Sequence, residues 1–338
     1  MKAVIIGTCG HIDLALSVRD RLPELEFVGV APGSANEDTR EFFVEQMEPS
    51  LIPFYESYPA MLDREKPDIA VIAPFFHLQS RIACDCMERG IHVFVEKPMA
   101  ATLEELDRIR RVHARSGVSL CPMLPYRYHP EFRAAFRAVE DGLIGEPLLI
   151  TALKSYKLGK RHPVYTRRIT YGGTIPWVAV HAIDWVHCIT KGKITEISAG
   201  HTTAGNRGHG ELESSAFVSF RLSNSGSAVL SADYFRPAFA ATHGDDRLRA
   251  AGEKGVVEVI GGEAVLTTGD SPQEKLPREE PRSIFTEFVR SISSGAKLRI
   301  TAEEAFDVSE LALKSREAAD TRTPVRFRQP DSGQRGSA

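Results

Sequence analysis

Residues 92–98 read His92-Val93-Phe94-Val95-Glu96-Lys97-Pro98, an apolar run closed by a carboxylate, an amine and a proline. Such a run suits a strand buried on both faces, as in a parallel sheet. Ligands of open parallel sheets bind in the crevice beyond the carboxyl ends of the strands, which is where Lys97 falls. A lysine desolvated there can exchange protons near neutral pH, so Lys97 is the first catalytic candidate.

On either side of that segment, short β-rich runs alternate with helical patterns, the mark of a parallel sheet with crossover helices. Strands are expected over residues 3–6, 27–31, 69–73, 92–95 and 118–122, and helices over 13–22, 38–47, 58–64, 78–89 and 103–115. Thr102 with Glu105 three residues on has the form of a capping box, and Gly90 and Gly117 stand where helices should stop. Residues 1–122 therefore read as a doubly wound, Rossmann-type nucleotide domain. Beyond Pro130 the grammar changes. A helix over 130–140 leads into alternating stretches, of which 215–222 and 228–234 read as a hairpin joined by Ser223-Asn224-Ser225-Gly226. Further strands are expected over 248–251, 256–260 and 264–267, then helices over 283–293 and 302–319. Residues 123–328 read as an α+β domain on a largely antiparallel open sheet with one face exposed or covered by a partner. Residues 329–338, rich in Gly, Ser and charge, read as a disordered tail. The expected fold class is α/β.

Composition narrows the function. The length of 338 residues suits two domains, and 42% hydrophobic residues suffice for a sizeable core. A net charge of -3 provides no global basic field for nucleic acid or an anionic membrane. No run reaches the length of a membrane span, and the apolar opening is too short for a signal peptide. Five cysteines, four of them within apolar segments, suit a reduced, cytoplasmic protein. No metal-ligand spacing is read.

The segment Gly7-Thr8-Cys9-Gly10-His11-Ile12 follows a strand and opens a helix, the context of a dinucleotide fingerprint. Against G-x-G-x-x-G, Gly7 supplies the tight turn, Cys9 takes the slot where bare backbone approaches the pyrophosphate, and Ile12 takes the third glycine's place. An NAD-preferring site expects an acidic residue at the end of the second strand. Here Val30 runs into Ala31-Pro32-Gly33-Ser34, and the nearest carboxylate, Glu37, lies beyond the turn. Ser34 and Arg40 are placed to receive a 2′-phosphate, so the cofactor reads as NAD or NADP.

Further landmarks follow in order: Ala73-Pro74-Phe75-Phe76-His77, Glu96-Lys97-Pro98, Tyr126-Arg127-Tyr128-His129-Pro130, Ile144-Gly145-Glu146-Pro147, Gly172-Gly173, His181-Ala182-Ile183-Asp184 and Thr323-Pro324-Val325. Together with the opening turn they resemble the Gfo/Idh/MocA family of nicotinamide-dependent oxidoreductases over nearly the whole chain. The resemblance implies that Gly7, Cys9, Gly10, His11 and Ile12 line the pyrophosphate turn, with Gly33 and Ser34 beyond the second strand. Ala73, Pro74, Phe75 and His77 would border the ribose and nicotinamide, as would Glu96, Lys97 and Pro98. Tyr126, Arg127, Trp177, His181 and Asp184 would face the substrate.

Such an enzyme takes up the hydroxyl proton as a hydride leaves the carbon, so it needs a base within reach of that oxygen. The family commonly uses the lysine of E-K-P and a histidine in a D-x-G-x-H-x-x-D segment. Here His181 and Asp184 match, while Trp177 replaces the first aspartate and Ala179 the glycine. Indole has no proton acceptor, so the proton work falls to Lys97 and His181. Trp177 is expected to offer a flat apolar wall to a ring-shaped substrate or to pack at the helix start, and Asp184 to orient the histidine or a substrate hydroxyl. Six basic residues, Lys154, Lys157, Lys160, Arg161, Arg167 and Arg168, lie in one acid-free stretch; they suit an anionic substrate or a solvated loop. The expected function is hydride transfer between NAD(P) and a secondary hydroxyl or ketone of a sugar, cyclic polyol or sugar acid. A bound-NAD glycosidase or lyase and a catalytically silent nucleotide-binding regulator are the alternatives, and a homodimer or homotetramer is the expected assembly.

Overall fold

The computed structural model describes residues 1–46 and 52–327. The expected end of a helix at Met47 and the expected tail lie outside the described residues. Five parallel strands, β1 (Lys2–Ile6), β2 (Glu26–Ala31), β3 (Ile69–Ile72), β4 (His92–Val95) and β5 (Leu120–Pro122), form a sheet in the order β2-β1-β3-β4-β5. Strand order reverses at β1, so the ligand crevice opens where β1 and β3 diverge. Every side chain of β3 is buried, as expected for a strand covered by helices on both faces. The helix Leu103–Ser116 starts where Thr102 accepts from the Glu105 N–H at 3.2 Å. The Glu105 carboxylate turns instead to the Ala101 N–H at 2.7 Å, so only half of the expected reciprocal cap forms.

One expected helix is largely replaced. Residues 13–22 form a single turn, Asp13–Leu16, then a 3₁₀ turn, Arg19–Arg21. No side chain caps its start, and Ser17 and Val18 are weak helix formers.

The second sheet has nine strands: β6 (Pro147–Tyr156), β7 (Ile194–Thr202), β8 (Ser215–Leu222), β9 (Ser227–Asp233), β10 (Gly244–Gly252), β11 (Gly255–Ile260), β12 (Glu263–Thr268), β13 (Glu274–Lys275) and β14 (Val325–Arg326). Their order is β13-β12-β11-β10-β6-β9-β8-β7-β14. Pairing is antiparallel except between β6 and β9. The buried helix Val180–Thr190 packs against β6 and β9 on one face. On the other, Leu149, Phe217, Val229 and Ile260 are exposed. No helix among the described residues is long and apolar enough to cross a membrane.

Two helices tie the sheets together. Ala302–Thr321, opened by a full capping box of Thr301 and Glu304, packs against β7 and against Leu103–Ser116 of the first domain. Ile284–Ser294, expected among the elements of the second domain, lays Phe285 and Phe288 against Phe94 of β4, with ring centroids at 5.0 and 5.7 Å.

Arg127 and Asp184 were expected at the substrate, and here they serve the scaffold. Arg127 Nε and Nη2 donate to Asp184 Oδ1 at 2.9 and 2.8 Å, both side chains being buried. Arg127 Nη1 donates to the Arg299 carbonyl at 3.1 Å and meets Glu304 at 3.0 Å. The pair thus joins the helix bearing His181 to the start of the long helix. Removing one partner of a buried pair strands the other charge, so Asp184→Ala is expected to lower unfolding free energy by about 3–5 kcal/mol. In urea titrations Arg127→Met/Asp184→Leu should lose less than Asp184→Ala alone; equal losses would contradict the pairing.

Candidate active site

The crevice begins at the turn after β1. Gly7 has φ +74°, its N–H donates to the Ala31 carbonyl at 2.8 Å, and Cys9 N–H donates to the Ala73 carbonyl at 2.6 Å. A Cβ at Gly7 would run into the backbone of Ala73 and Pro74, and one at Gly10 into the Glu96 carboxylate. The turn is therefore pressed against the ends of β3 and β4 in a way only glycine permits. Ile12, in place of the third glycine, is buried in the core beneath it. The Cys9 thiol is pushed up to about 12, by burial first and then by Glu37 and Glu96, so it is held neutral.

The sequence reading missed the carboxylate near the end of β2. Glu37 folds back over the turn and accepts from Gly33 N–H at 2.9 Å and Phe75 N–H at 3.0 Å. Burial raises its pKa while these hydrogen bonds and one from Thr39 oppose the shift. Its Oε1 lies where a Cβ on Gly33 would meet it, between the ends of β2 and β3. Arg40, expected near a 2′-phosphate, pairs with Glu56 and stacks over Phe54 at 4.2 Å. Ser34 contributes its carbonyl to the Glu37 N–H. His77 stands beyond β3 with a buried, unpartnered Nδ1. The crevice fits a dinucleotide: a turn with positive-φ glycines at both ends, a carboxylate folded back to the end of β2 and, among the described residues, an unpartnered imidazole nitrogen beyond β3.

Lys97, only 2% exposed, follows β4. Its amine donates to the Trp177 carbonyl at 2.7 Å and sits 3.3 Å from the centroid of the indole ring. Burial pulls its pKa down to about 7; Glu96 opposes this, while Lys154 and Arg161 add to it. Burial alone would raise Glu96, but His11 and Lys97 hold its carboxylate below the usual range. Glu96 accepts from the His11 backbone and its oxygens lie 3.0 and 3.1 Å from His11 Nδ1. The E-K-P segment is thus clamped to the dinucleotide turn.

Trp177 lies in a π-helical turn, Ile175–Ala179, that runs into the helix carrying His181. The turn is anchored by Glu213, which accepts from the Thr174 N–H at 3.0 Å and pairs with Arg168 at 2.9 Å. Phe76 stacks on the indole at 4.1 Å. An amine at 3.3 Å and a ring at 4.1 Å cannot share one face, so both faces of the indole are occupied. At 6% exposure Trp177 is therefore no open wall for a substrate ring; it positions Lys97.

His181 stands edge-on to His11 at 5.9 Å and to Tyr126 at 5.0 Å. Neither ring nitrogen has a partner among the described residues; Asp184 Oδ1 accepts from Arg127, and its buried Oδ2 is likewise without a partner there. Its pKa is held well below the usual value by burial, then by the charges of Lys97 and Lys154. Lys97 and His181 thus arrive from separate domains at one buried patch.

Beside them Lys154 and Tyr126, named separately in the sequence, meet Asp246, which was not. Lys154, 0% exposed, pairs with Asp246 at 2.6 Å and donates to the Tyr126 hydroxyl, which donates to Asp246 at 2.6 Å. Burial brings the Lys154 amine down to about 8 against the pull of Asp246. Alternation was the available signal: Ile150, Ala152 and Lys154 share the buried face of β6, and Asp246 of β10 stands opposite Lys154 in register.

Fold and crevice together define the class, a two-domain, NAD-binding oxidoreductase. Residues 1–122 match the oxidoreductase family with an NAD-binding Rossmann fold, and residues 132–258 match the GFO/IDH/MocA C-terminal domain. The chain belongs to the Gfo/Idh/MocA family. It is similar to a solved structure from Thermotoga maritima described as an oxidoreductase, with 42% identity, 97% of this chain and 100% of that one covered, and a TM-score of 0.92. Oxidoreductase YrbE of Bacillus subtilis is 24% identical over 260 residues, 71% of this chain and 72% of that protein. Glycosyl hydrolase family 109 protein 2 of Akkermansia muciniphila is 49% identical over 91 residues, 27% of this chain but only 19% of that protein.

A carboxylate near the end of β2 accepts from a ribose hydroxyl and repels a phosphate. Glu37→Gln is expected to improve NADP binding relative to NAD by about tenfold, or about 1.4 kcal/mol, in fluorescence titrations. An unchanged ratio would remove Glu37 from cofactor choice.

Proposed function

We propose that this chain transfers a hydride between NAD and a secondary hydroxyl or ketone carbon of a sugar, cyclic polyol or sugar acid. The observation carrying this reading is the meeting of a buried lysine amine and an unpartnered imidazole beside the dinucleotide turn. When bound, the nicotinamide supplies the site's hydride acceptor or donor. Lys97 and His181 handle the accompanying proton. A lysine brought down to about 7 is substantially neutral at physiological pH and can accept the hydroxyl proton through its lone pair. His181, neutral because of its depressed pKa, has one donor and one acceptor nitrogen and can hold the same oxygen. The Trp177 carbonyl fixes the direction of the amine, and the packing of Trp177 on Phe76 keeps bulk water from it. Holding the reacting groups together supplies a further part of the acceleration.

The two alternatives have less support. The glycosyl hydrolase match spans 19% of that relative's length, too local to carry a glycosidase reading. A silent regulator would not need an amine poised near neutrality. Incubation with candidate sugars, following nicotinamide absorbance and sugar products together, separates the three. Net absorbance change is expected; product without it would favour the cofactor-retaining route, and binding with neither would favour the regulator.

A reduced, cytoplasmic setting is part of the proposal, supported by five free cysteines. A homodimer or homotetramer is proposed as well, supported by the exposed Leu149, Phe217, Val229 and Ile260 on one sheet face. Sedimentation is expected to show an oligomer that Phe217→Glu weakens; a monomeric parent protein would overturn this.

The pH dependence follows from the sign of the Lys97 shift. The amine must be neutral to accept a proton, so kcat/KM for oxidation should rise with pH through about 7 and then level, while reduction shows the opposite limb. Lys97→Ala is expected to lower kcat by at least about 100-fold with cofactor affinity within a few-fold, and near-normal turnover would overturn the assignment.

A further inference from the structure

Two part-buried cations of the basic stretch from Lys154 to Arg168, Lys157 and Arg161, have no carboxylate within ion-pair distance among the described residues. Lys154 is neutralised by Asp246, Lys157 donates to the Ala240 carbonyl, and Arg168 pairs with Glu213 and Asp320. Lys160 and Arg167 are exposed. Arg161 is half-buried, and no carboxylate among the described residues lies within ion-pair distance of it. Its Nε and Nη2 donate to the Leu158 and Lys157 carbonyls at 2.8 and 3.0 Å, which fixes the guanidinium and leaves Nη1.

The place it is fixed is next to the catalytic patch. Its guanidinium carbon stands 4.7 Å from the Tyr234 ring and 5.9 Å from the Tyr165 ring. Tyr165 in turn lies 5.8 Å from Trp177, whose ring carries the Lys97 amine. The Tyr234 hydroxyl is buried and makes no hydrogen bond of good geometry among the described residues, although the Thr174 and Trp177 side chains stand near it. A buried hydroxyl without a partner is costly, and a part-buried guanidinium with no carboxylate beside it lacks its strongest partner. Both deficits are relieved by one ligand group, a planar anion that accepts from a guanidinium and a phenol together.

We infer that the substrate carries a carboxylate, received by Arg161 Nη1 and the Tyr234 hydroxyl while the reacting hydroxyl meets Lys97 and His181. This narrows the proposed substrates to sugar acids and rests on the redox reading above. The Lys154–Asp246 pair bounds the same patch with no net charge, so Arg161 is the discriminating group.

The test uses NAD-loaded protein and three matched pairs: D-glucuronate with D-glucose, D-galacturonate with D-galactose, and D-gluconate with sorbitol. Calorimetric titration reads binding, and nicotinamide absorbance reads chemistry separately. At least one carboxylated member is expected to bind about tenfold more tightly than its neutral partner. Arg161→Gln should abolish that preference, Arg161→Lys should restore part of it, and Tyr234→Phe should weaken the carboxylated sugar more than its neutral partner. No preference in any pair, or equal weakening of both members by Arg161→Gln, overturns the inference. Tighter binding of glucose 6-phosphate than of every carboxylated probe would overturn it in favour of a phosphate. A carboxylate preference without absorbance change would keep the anion site and sink the redox reading; turnover of both members of a pair alike would do the reverse.

Discussion

An amine removed from water at the end of a parallel strand is the constraint on which this molecule depends. Lys97 is placed there because β4 is buried on both faces and its chain must emerge into the crevice. Desolvation penalises the ammonium, and the surroundings only partly offset it: one carbonyl, one aromatic face and a carboxylate already shared with His11. A lysine in water would stay protonated and useless as a base at neutral pH. Its usefulness here depends on the packing of the second domain over it, since the carbonyl and the indole both belong to Trp177.

That dependence explains the joinery between the domains. Glu96 clamps the strand end to the turn that receives the dinucleotide, so moving one displaces the other. Phe285 and Phe288 come from late in the chain to seal β4 from the opposite side. Arg127 and Asp184, deep beneath the site, fix the helix on which His181 rides. Lys97 and His181, from separate domains, can hold a constant separation only if such contacts leave little freedom between the domains.

The first sheet was legible because apolar runs of four or five residues, bounded by turn formers, have few other fates. Its five strands fall where they are expected, with ends displaced by at most two residues. β6 and β7 were passed over, since β6 places a lysine on its buried face and β7 carries a polar, half-exposed pattern. Lys97 and His181 were singled out through their local motifs, and the structure brings both to one buried patch. Glu37 was not legible, because its carboxylate returns across a turn to contact Gly33 and Phe75, a tertiary event with no periodicity to announce it. The pairing of Arg127 with Asp184 was not legible for the same reason. An ion pair and a substrate contact use the same residue types, and the sequence does not show which residues meet.

Trp177 shows most clearly what sequence spacing conceals. The resemblance leads one to expect an aspartate at this position, and the indole in its place suggested either a wall for the substrate or packing at the helix start. A carboxylate against Lys97 would favour the ammonium and raise its pKa. An indole attracts the same cation by only about 0.5–2 kcal/mol, while its bulk excludes water and deepens the desolvation that acts the other way. With both faces of the ring occupied, the balance falls on the side of the neutral amine. On the proposed mechanism, the indole leaves the proton to a lysine kept neutral by burial.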